Sequence, residues 1–273
     1  MDSKSQESND SELIATIEEY MGNDENSGVD IRIFEILDNV EASESQLASI
    51  EKMIDVKIAL RLRNMADSAY FGQMRQRKVN TFFDVVTSLG TNPVKLFIVA
   101  MALHTKLGEK NYLFEIESIA TSLFARIIAQ QMGFNDAARE RAEIGGLFLN
   151  IGKIAVAIYE HAHKVKIEPS FIEKYHRKLA STIIEKFALP EYLNDIVQED
   201  MLVLHKNSFS VQGIVFLAHA LVEKLIDEQG LKIKSQVPDM DDNLRVTLSS
   251  YISDYFNLIG MGKYLKIIPI DEK

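Results

Sequence analysis

One stretch decides how this chain folds: GGLFLNIGK, residues 145–153. Two glycines open it, an apolar run follows, and a third glycine stands near its end. This pattern predicts a closely packed helix, because a residue without a side chain lets another backbone approach. We place the stretch within one helix from Asn135 to Glu160. Helical periodicity covers most of the remaining chain, and period-two alternation occurs only in the short piece 231–233, so the sequence predicts an all-α fold.

The composition is that of an ordinary globular chain with one acidic segment. Of 273 residues, 47% are apolar and 26% are charged, which is enough for a sizeable core. The lack of cysteine excludes disulfides, thiolate metal sites and a cysteine nucleophile, and it fits a reducing compartment. Residues 1–30 contain nine acids and one base, and so carry −8 of the net charge of −10. The nearly neutral body argues against general nucleic-acid binding.

The chain divides into an acidic N-terminal segment and two packed helical subdomains. Residues 1–30 are predicted to be flexible, disordered over 1–10 and with a short helix from Ser11 to Met21. The N-terminal helical subdomain is predicted over 31–110 and the C-terminal one over 111–273. No apolar run approaches the ~18 residues that a membrane span requires, and the N-terminus is no signal peptide. We therefore expect no membrane association.

Four motifs follow one another in an order that is typical of one family. They are RLRNMADSAYFG (61–72), TSLG (87–90), GGLFLNIGK (145–153) and HRKLASTIIEKFALP (176–190). Together they resemble the HDOD domain family, bacterial domains related to the HD-type metal-dependent phosphohydrolases. The resemblance covers residues 31–225. It implies an all-α HD-like architecture, with residues 111–273 as the HD-like part, and a cytoplasmic role in bacterial signal transduction.

The resemblance also implies a degenerate metal site. In catalytic HD relatives a central His-Asp pair binds metal, and here Leu149 and Asn150 stand in its place. Leu149 offers no donor, and the amide oxygen of Asn150 is a poor substitute for a carboxylate on a transition metal. The implied ligand positions are Glu117, Leu149, Asn150, His176, Glu199, Asp200 and His219, of which only His176 keeps the residue type of the family.

A hydrolytic centre needs several converging anionic or imidazole ligands and an open position for water. We therefore predict no bound metal, no cofactor and no catalytic residue, and we favour a protein that is not an enzyme. An improvised metal site built from His176, Glu199, Asp200 and His219 is the alternative.

A basic patch around an aromatic turn is the candidate partner-binding surface. It is predicted to comprise Arg61, Arg63, Asp67, Tyr70, Phe71, Arg75 and Arg77. Such a surface can receive an acidic protein segment or a small anionic ligand, and the acidic residues 1–30 could themselves dock there. The alternative is a solvated helix face without a partner.

Three functions agree with these observations. The preferred one is a non-catalytic regulatory domain of the HDOD type that acts by protein–protein interaction. The first alternative is a metal-dependent phosphohydrolase acting on a nucleotide or phosphoester. The second is a sensor in which the former metal cavity binds a small ligand. The sequence sets no expectation of the oligomeric state.

Overall fold

The computed structural model describes residues 3–67, 79–107, 112–198 and 210–227, and every regular element in these ranges is helical. The first elements are α1 (Ser3–Gly22), α2 (Asp24–Ser27), α3 (Arg32–Asp38), α4 (Glu44–Ser49), a 3-10 turn (Ile50–Lys52), α5 (Val56–Asp67), α6 (Phe82–Leu89) and α7 (Thr91–Lys106). They are followed by α8 (Tyr112–Gln131), α9 (Asp136–Phe148), α10 (Ile151–His163), α11 (Pro169–Lys186), α12 (Tyr192–Gln198) and α13 (Val211–Asp227). The predicted all-α fold is confirmed. The extended piece expected at 231–233 lies outside the described residues.

Local sequence signals set several of these helix ends. Ser43 starts α4 with a capping box that Gln46 completes, and Thr81 starts α6 in the same way with Asp84. Gly90 ends α6 with a φ of 89°, a conformation that favours glycine, and α7 begins at the next residue. Two helices that meet at such a turn can cross steeply, and α6 and α7 are bent by 111°.

Helix α7 lies at the centre of the protein. Every residue from Pro93 to His104 is buried. The helix packs against α3, α5 and α6, and also against α9 and α10. It therefore contacts both halves of the chain that the sequence assigns to separate subdomains, and the division near residue 110 stays a prediction.

The glycines of the 145–153 stretch allow close helix packing, as predicted. A Cβ atom added to Gly146 would lie 2.5 Å from the backbone nitrogen of Ser122 in α8, and one added to Gly152 would overlap the carbonyl oxygen of His176 in α11. The prediction of one helix over 135–160 is wrong in one respect. Leu149 and Asn150 form a turn between α9 and α10, and Asn150 has bridge-region angles, φ −97° and ψ 12°.

The N-terminal segment is an ordered helix, which corrects two expectations. Helix α1 begins at Ser3, whereas we predicted disorder over residues 1–10 and a helix that begins at Ser11. Ile14, Ile17 and Met21 are buried in the core. The polar first turns lack apolar periodicity, but Asp10 accepts a hydrogen bond of 3.0 Å from the hydroxyl of Tyr175 in α11. Tertiary contacts of this kind support helix that propensity alone does not.

Helices α1 and α11 run parallel to each other. Asp10 contacts Tyr175, and Glu18 accepts a hydrogen bond of 2.9 Å from the hydroxyl of Thr182. The ammonium group of Lys186 lies 2.8 Å from the carbonyl oxygen of Met21 at the end of α1. The contacts advance in the same direction along both helices, and a lysine at a helix C-terminus satisfies its free carbonyl groups.

One helical stretch, Asp136–His163, is long and apolar enough by composition to cross a membrane. However, 83% of its most apolar window is buried within the protein. The core helices of globular proteins meet the same criterion, so its place in the core accounts for its hydropathy.

Candidate functional site

Three parts of the chain bring polar side chains together at the implied metal position. Helix α8 packs against α9 and α13. It supplies Glu117, the junction of α9 and α10 supplies Asn150, and α13 supplies His219. Asn150 is 3% exposed and His219 is 4% exposed, so this is a buried polar site. Gly146 contributes to its geometry because it lets α9 approach the backbone of α8.

The three side chains form a compact group that we call the polar triangle. Its corners are Oε1 of Glu117, Nδ2 of Asn150 and Nε2 of His219. Nε2 of His219 lies 2.7 Å from Oε1 of Glu117. Nδ2 of Asn150 lies 3.1 Å from that oxygen and 3.1 Å from Nε2 of His219. Each corner is therefore within hydrogen-bonding distance of the other two.

Two further charged residues lie near the polar triangle. Glu223 lies one turn after His219 in α13, and its carboxylate is 3.8 Å from Nδ1 of His219. Nδ1 is buried and has no hydrogen-bond partner among the described residues. Lys153, three residues after Asn150, acts electrostatically on both Glu117 and Glu223. The site thus holds two carboxyl groups, one imidazole, one amide and one nearby ammonium group.

The pKa values of the two carboxyl groups shift in opposite directions. Burial raises the pKa of Glu117, but the hydrogen bond and charge of His219, together with Lys153 and Asn150, outweigh burial and lower it overall. Burial also raises the pKa of Glu223, and there it prevails, with the charge of Glu117 adding to the rise. Glu117 is therefore the ionised partner of His219, while Glu223 is the carboxyl group that more readily takes a proton.

His176 lies outside the polar triangle. Its Nδ1 is 2.9 Å from the carbonyl oxygen of Ile172, one turn earlier in α11. Burial, and then the charge of Lys153, lower the pKa of His176. No hydrogen bond or ion pair within the described ranges joins it to Glu117, Asn150 or His219. The predicted positions Glu199 and Asp200 lie outside those ranges.

These donors do not fit a two-ion hydrolytic centre. Leu149 packs against the hydrophobic core and offers no ligand atom. The donors that could hold a single ion are Glu117, His219 and Glu223, whose ligand atoms all lie within 4.8 Å of one another. The amide oxygen of Asn150 is a fourth candidate, because a half-turn of the amide would place it where Nδ2 now lies. Carboxylate, imidazole and amide oxygen suit Mn²⁺ or Zn²⁺ better than soft ions.

The described part of the predicted partner surface is engaged within the protein. Arg61 forms an ion pair of 2.7 Å with Glu115 of α8, and Arg63 forms one of 2.6 Å with Glu51. Asp67 accepts a hydrogen bond of 2.9 Å from the backbone of Val79. The predicted members Tyr70, Phe71, Arg75 and Arg77 lie outside the described residues. The proposed docking of the acidic segment on this patch is not observed, since α1 packs against α10 and α11 instead.

A separate cavity of about 660 Å³ lies between α1 and the start of α11. Apolar and aromatic side chains line it, among them Leu13, Tyr159 and Phe171. Lys166 and Lys174 also line it, but so do Asp10 and Glu168, so the lining has no excess of positive charge for the small anionic ligand that the sequence suggested. Asp10 lies 3.6 Å from Lys174 and offsets part of that charge.

Sequence reasoning missed Glu223 and Lys153. Glu223 was detectable in principle, because residues four apart share a helix face and His219 was already a candidate. Lys153 is the last residue of the GGLFLNIGK stretch. The motif alone does not indicate that its charge acts on the site.

The fold and the site define an all-α domain with a buried polar group at the position where the resemblance implies a metal-binding pair. A family model described as "HDOD domain" matches residues 30–201, more than half of the chain. The chain belongs to the HDOD domain family, as the motifs indicated.

Two solved structures are similar to the chain at low sequence identity, and the first shares its fold. One from Shewanella amazonensis SB2B, provisionally described as a metal-dependent phosphohydrolase, is 17% identical, with a TM-score of 0.61 over 93% of this chain and 99% of that chain. An HDOD domain protein of unknown function from Geobacter sulfurreducens is 18% identical, with a TM-score of 0.46 over 95% of this chain and 91% of that one. No functionally curated protein matches the chain.

Proposed function

We propose that this chain is a non-catalytic regulatory domain of bacterial signal transduction that acts by binding a protein partner. One observation carries the proposal. Where an HD-type hydrolase has its metal-binding pair, Leu149 packs against the core and Asn150 presents an amide. A two-ion centre activates water through several converging ligands, and these positions do not supply them.

Exposed apolar residues on α5 support partner binding. Val56 is 77% exposed and Leu60 is 58% exposed, and their spacing of four places them on one face of the helix. Helix α5 leads directly into the predicted partner segment with Tyr70 and Phe71. An apolar pair beside basic and aromatic residues is typical of the centre of a protein interface. We propose that a partner contacts this face of α5 and the segment that follows it.

We propose a cytoplasmic location for the protein. The support is the absence of cysteine from the chain, which fits a reducing compartment.

A hydrolysis screen tests the non-catalytic part of the proposal. The full chain is incubated with a panel of nucleotides and phosphoesters in the presence of Mg²⁺, Mn²⁺ or Ni²⁺. We expect no turnover above that of the Glu117→Gln variant, which lacks the carboxylate that a single ion would need. Metal-dependent turnover by the wild type that disappears in this variant, with the fold intact by circular dichroism, would establish the phosphohydrolase alternative.

A matched pair of surface variants tests the binding part. Partners are cross-linked to the full chain in its native host, and the strongest one is then purified and titrated. Leu60→Asp should weaken its binding at least about tenfold, as for a residue at an interface centre. The control is Val40→Asp, because Val40 is fully exposed outside α5. Equal binding by wild type and both variants would contradict the proposed surface.

A further inference from the structure

At most two sides of the polar triangle can be hydrogen bonds at one time. With Glu117 as a carboxylate, its oxygen can only accept. If Nε2 of His219 donates to it, then that nitrogen and Nδ2 of Asn150 are two donors facing each other at 3.1 Å. If Nε2 instead carries the lone pair, two acceptors face each other at 2.7 Å. A half-turn of the amide moves the conflict to the contact between Asn150 and Glu117. Each arrangement leaves one side of this buried triangle without a hydrogen bond, between two donors or between two acceptors.

A cation at the triangle would remove this conflict. A carboxylate oxygen, an imidazole lone pair and an amide oxygen are all electron donors, and a positive ion between them satisfies all three. The distances fit. Bonds of about 2.1 Å in octahedral geometry place neighbouring ligand atoms about 3.0 Å apart. The three sides of the triangle measure 2.7, 3.1 and 3.1 Å.

We propose that one divalent cation of the Mn²⁺ or Zn²⁺ type binds at the polar triangle, held by Oε1 of Glu117, Nε2 of His219 and, after a half-turn of the amide, Oδ1 of Asn150. The ion replaces the proton on Nε2, and water completes its coordination. This reverses the sequence-based expectation of no metal. It goes beyond the proposed function, because the ion is a ligand that joins α8, the α9–α10 junction and α13, and no hydrolysis is assigned to it.

Glu223 has a positioning role in this arrangement. Its carboxylate faces the otherwise unpartnered Nδ1 of His219 at 3.8 Å. A proton on Nδ1 is thereby favoured, which leaves the lone pair of Nε2 for the ion. Carboxylates commonly orient metal-binding histidines in this way, and their loss typically weakens metal binding 10–100-fold. Glu223→Gln should weaken binding in that range while the melting temperature of the metal-free protein changes little.

Lys153 opposes the cation. Its charge acts on Glu117 and Glu223, so it competes with an ion for the same carboxylates. Lys153→Met should therefore strengthen Mn²⁺ binding, and Asn150→Asp should strengthen it at least about tenfold by adding a carboxylate ligand. If the polar triangle were only structural, neither substitution would strengthen Mn²⁺ binding.

The test is titration of the full-length protein with Mn²⁺ alone and with Zn²⁺ alone. Calorimetry gives stoichiometry and affinity, Mn²⁺ electron paramagnetic resonance reports bound ion, and thermal unfolding reports stabilisation. We expect one ion per chain, binding at least about tenfold weaker in Glu117→Gln and His219→Gln, and a higher melting temperature with the ion. The control is Glu173→Gln, since Glu173 acts on Glu223 electrostatically but is no corner of the triangle, and it should bind as wild type does.

Two results would overturn the proposal. One is the lack of saturable one-to-one binding of either ion by the folded wild type. The other is binding that Glu117→Gln, His219→Gln and Asn150→Asp all leave unchanged. The outcome is separate from that of the hydrolysis screen: binding without turnover supports both proposals, and turnover refutes the non-catalytic function alone.

Discussion

Replacing Gly152 by alanine tests a close backbone contact between α10 and α11. The added Cβ would overlap the carbonyl oxygen of His176, and it would lie 2.6 Å from that carbonyl carbon and 3.0 Å from the amide nitrogen of Ala180. All three atoms belong to the backbone of α11, so no side-chain rotation relieves the clash and α10 and α11 must separate. Overpacking costs about 1–3 kcal/mol where side chains can adjust. We expect Gly152→Ala to cost about 3 kcal/mol or more of the free energy of unfolding.

The neighbouring glycines provide a graded series for the same measurement. In Gly146→Ala the added Cβ would lie 2.5 Å from the backbone of Ser122, so the free energy of unfolding should fall by about 2–3 kcal/mol. Gly145→Ala meets only the ends of the side chains of Ile196 and Val215, which can move, so about 1 kcal/mol is expected. Gly22→Ala is the control, because its Cβ would meet nothing within 4 Å, and its effect should stay within about 0.5 kcal/mol.

Urea and thermal unfolding, followed by circular dichroism, measure the series. For a chain of this size each kcal/mol lowers the melting temperature by about 2–4 °C, so Gly152→Ala should melt roughly 6–12 °C below the wild type. The reasoning is refuted if Gly152→Ala is no less stable than Gly145→Ala, because a backbone clash would then cost no more than a side-chain adjustment.

Three further predictions concern buried charge and helix α1. Burial lowers the pKa of His104 to about 3, so the unfolded chain takes up its proton near pH 6.5 and the folded chain does not. Stability should therefore fall as the pH drops from about 6.5 towards 3, by up to about 1.4 kcal/mol per unit, and His104→Leu should flatten this part of a pH series of urea midpoints; an unchanged slope contradicts the assignment. Arg126→Met leaves Glu143, 2% exposed and with a pKa raised by burial, without its ion-pair partner. The cost in urea should be about 3–5 kcal/mol at pH 7 and smaller at lower pH, because protonation of the carboxylate removes the buried charge, whereas a cost that does not change with pH would argue against buried charge. Asp10→Asn weakens the contact with Tyr175, so the amides of the first turns of α1 should exchange hydrogen faster by mass spectrometry while those of α8 do not; uniform exchange would show that the contact does not hold α1.

The helical fold was predictable because its signals are local. Apolar periodicity and end signals placed α11 over Ser170–Phe187, where the structure has Pro169–Lys186. The prediction that Gly146 and Gly152 are points of close packing is confirmed, since glycine destabilises a helix interior and its main structural role there is to let another backbone approach. Periodicity could not place the first turns of α1, because residues 3–10 are polar and their order comes from a contact with a residue 165 positions away.

The candidate site could not be recognised from the sequence by comparing one position at a time. The family resemblance implies an imidazole near position 117 and a carboxylate at position 219. The chain has the carboxylate at Glu117 and the imidazole at His219, 2.7 Å apart. Neither position has the residue type that the resemblance implies, so comparing each position alone suggests that its ligand is absent. The two ligand types that the resemblance implies are thus both present, in exchanged positions on α8 and α13, and their proximity is visible only when both helices are placed in space.

Helix α1 has a consequence for where this protein can be divided. The inherited unit, as the family match defines it, begins at residue 30. The cooperative folding unit begins earlier, because Ile14, Ile17 and Met21 fill the core and Lys186 binds the end of α1. A fragment that begins at residue 30 would expose to water the apolar surface that Ile14, Ile17 and Met21 cover. For this protein, the stretch that lies outside the recognised family region belongs to the structure that keeps that region soluble and folded.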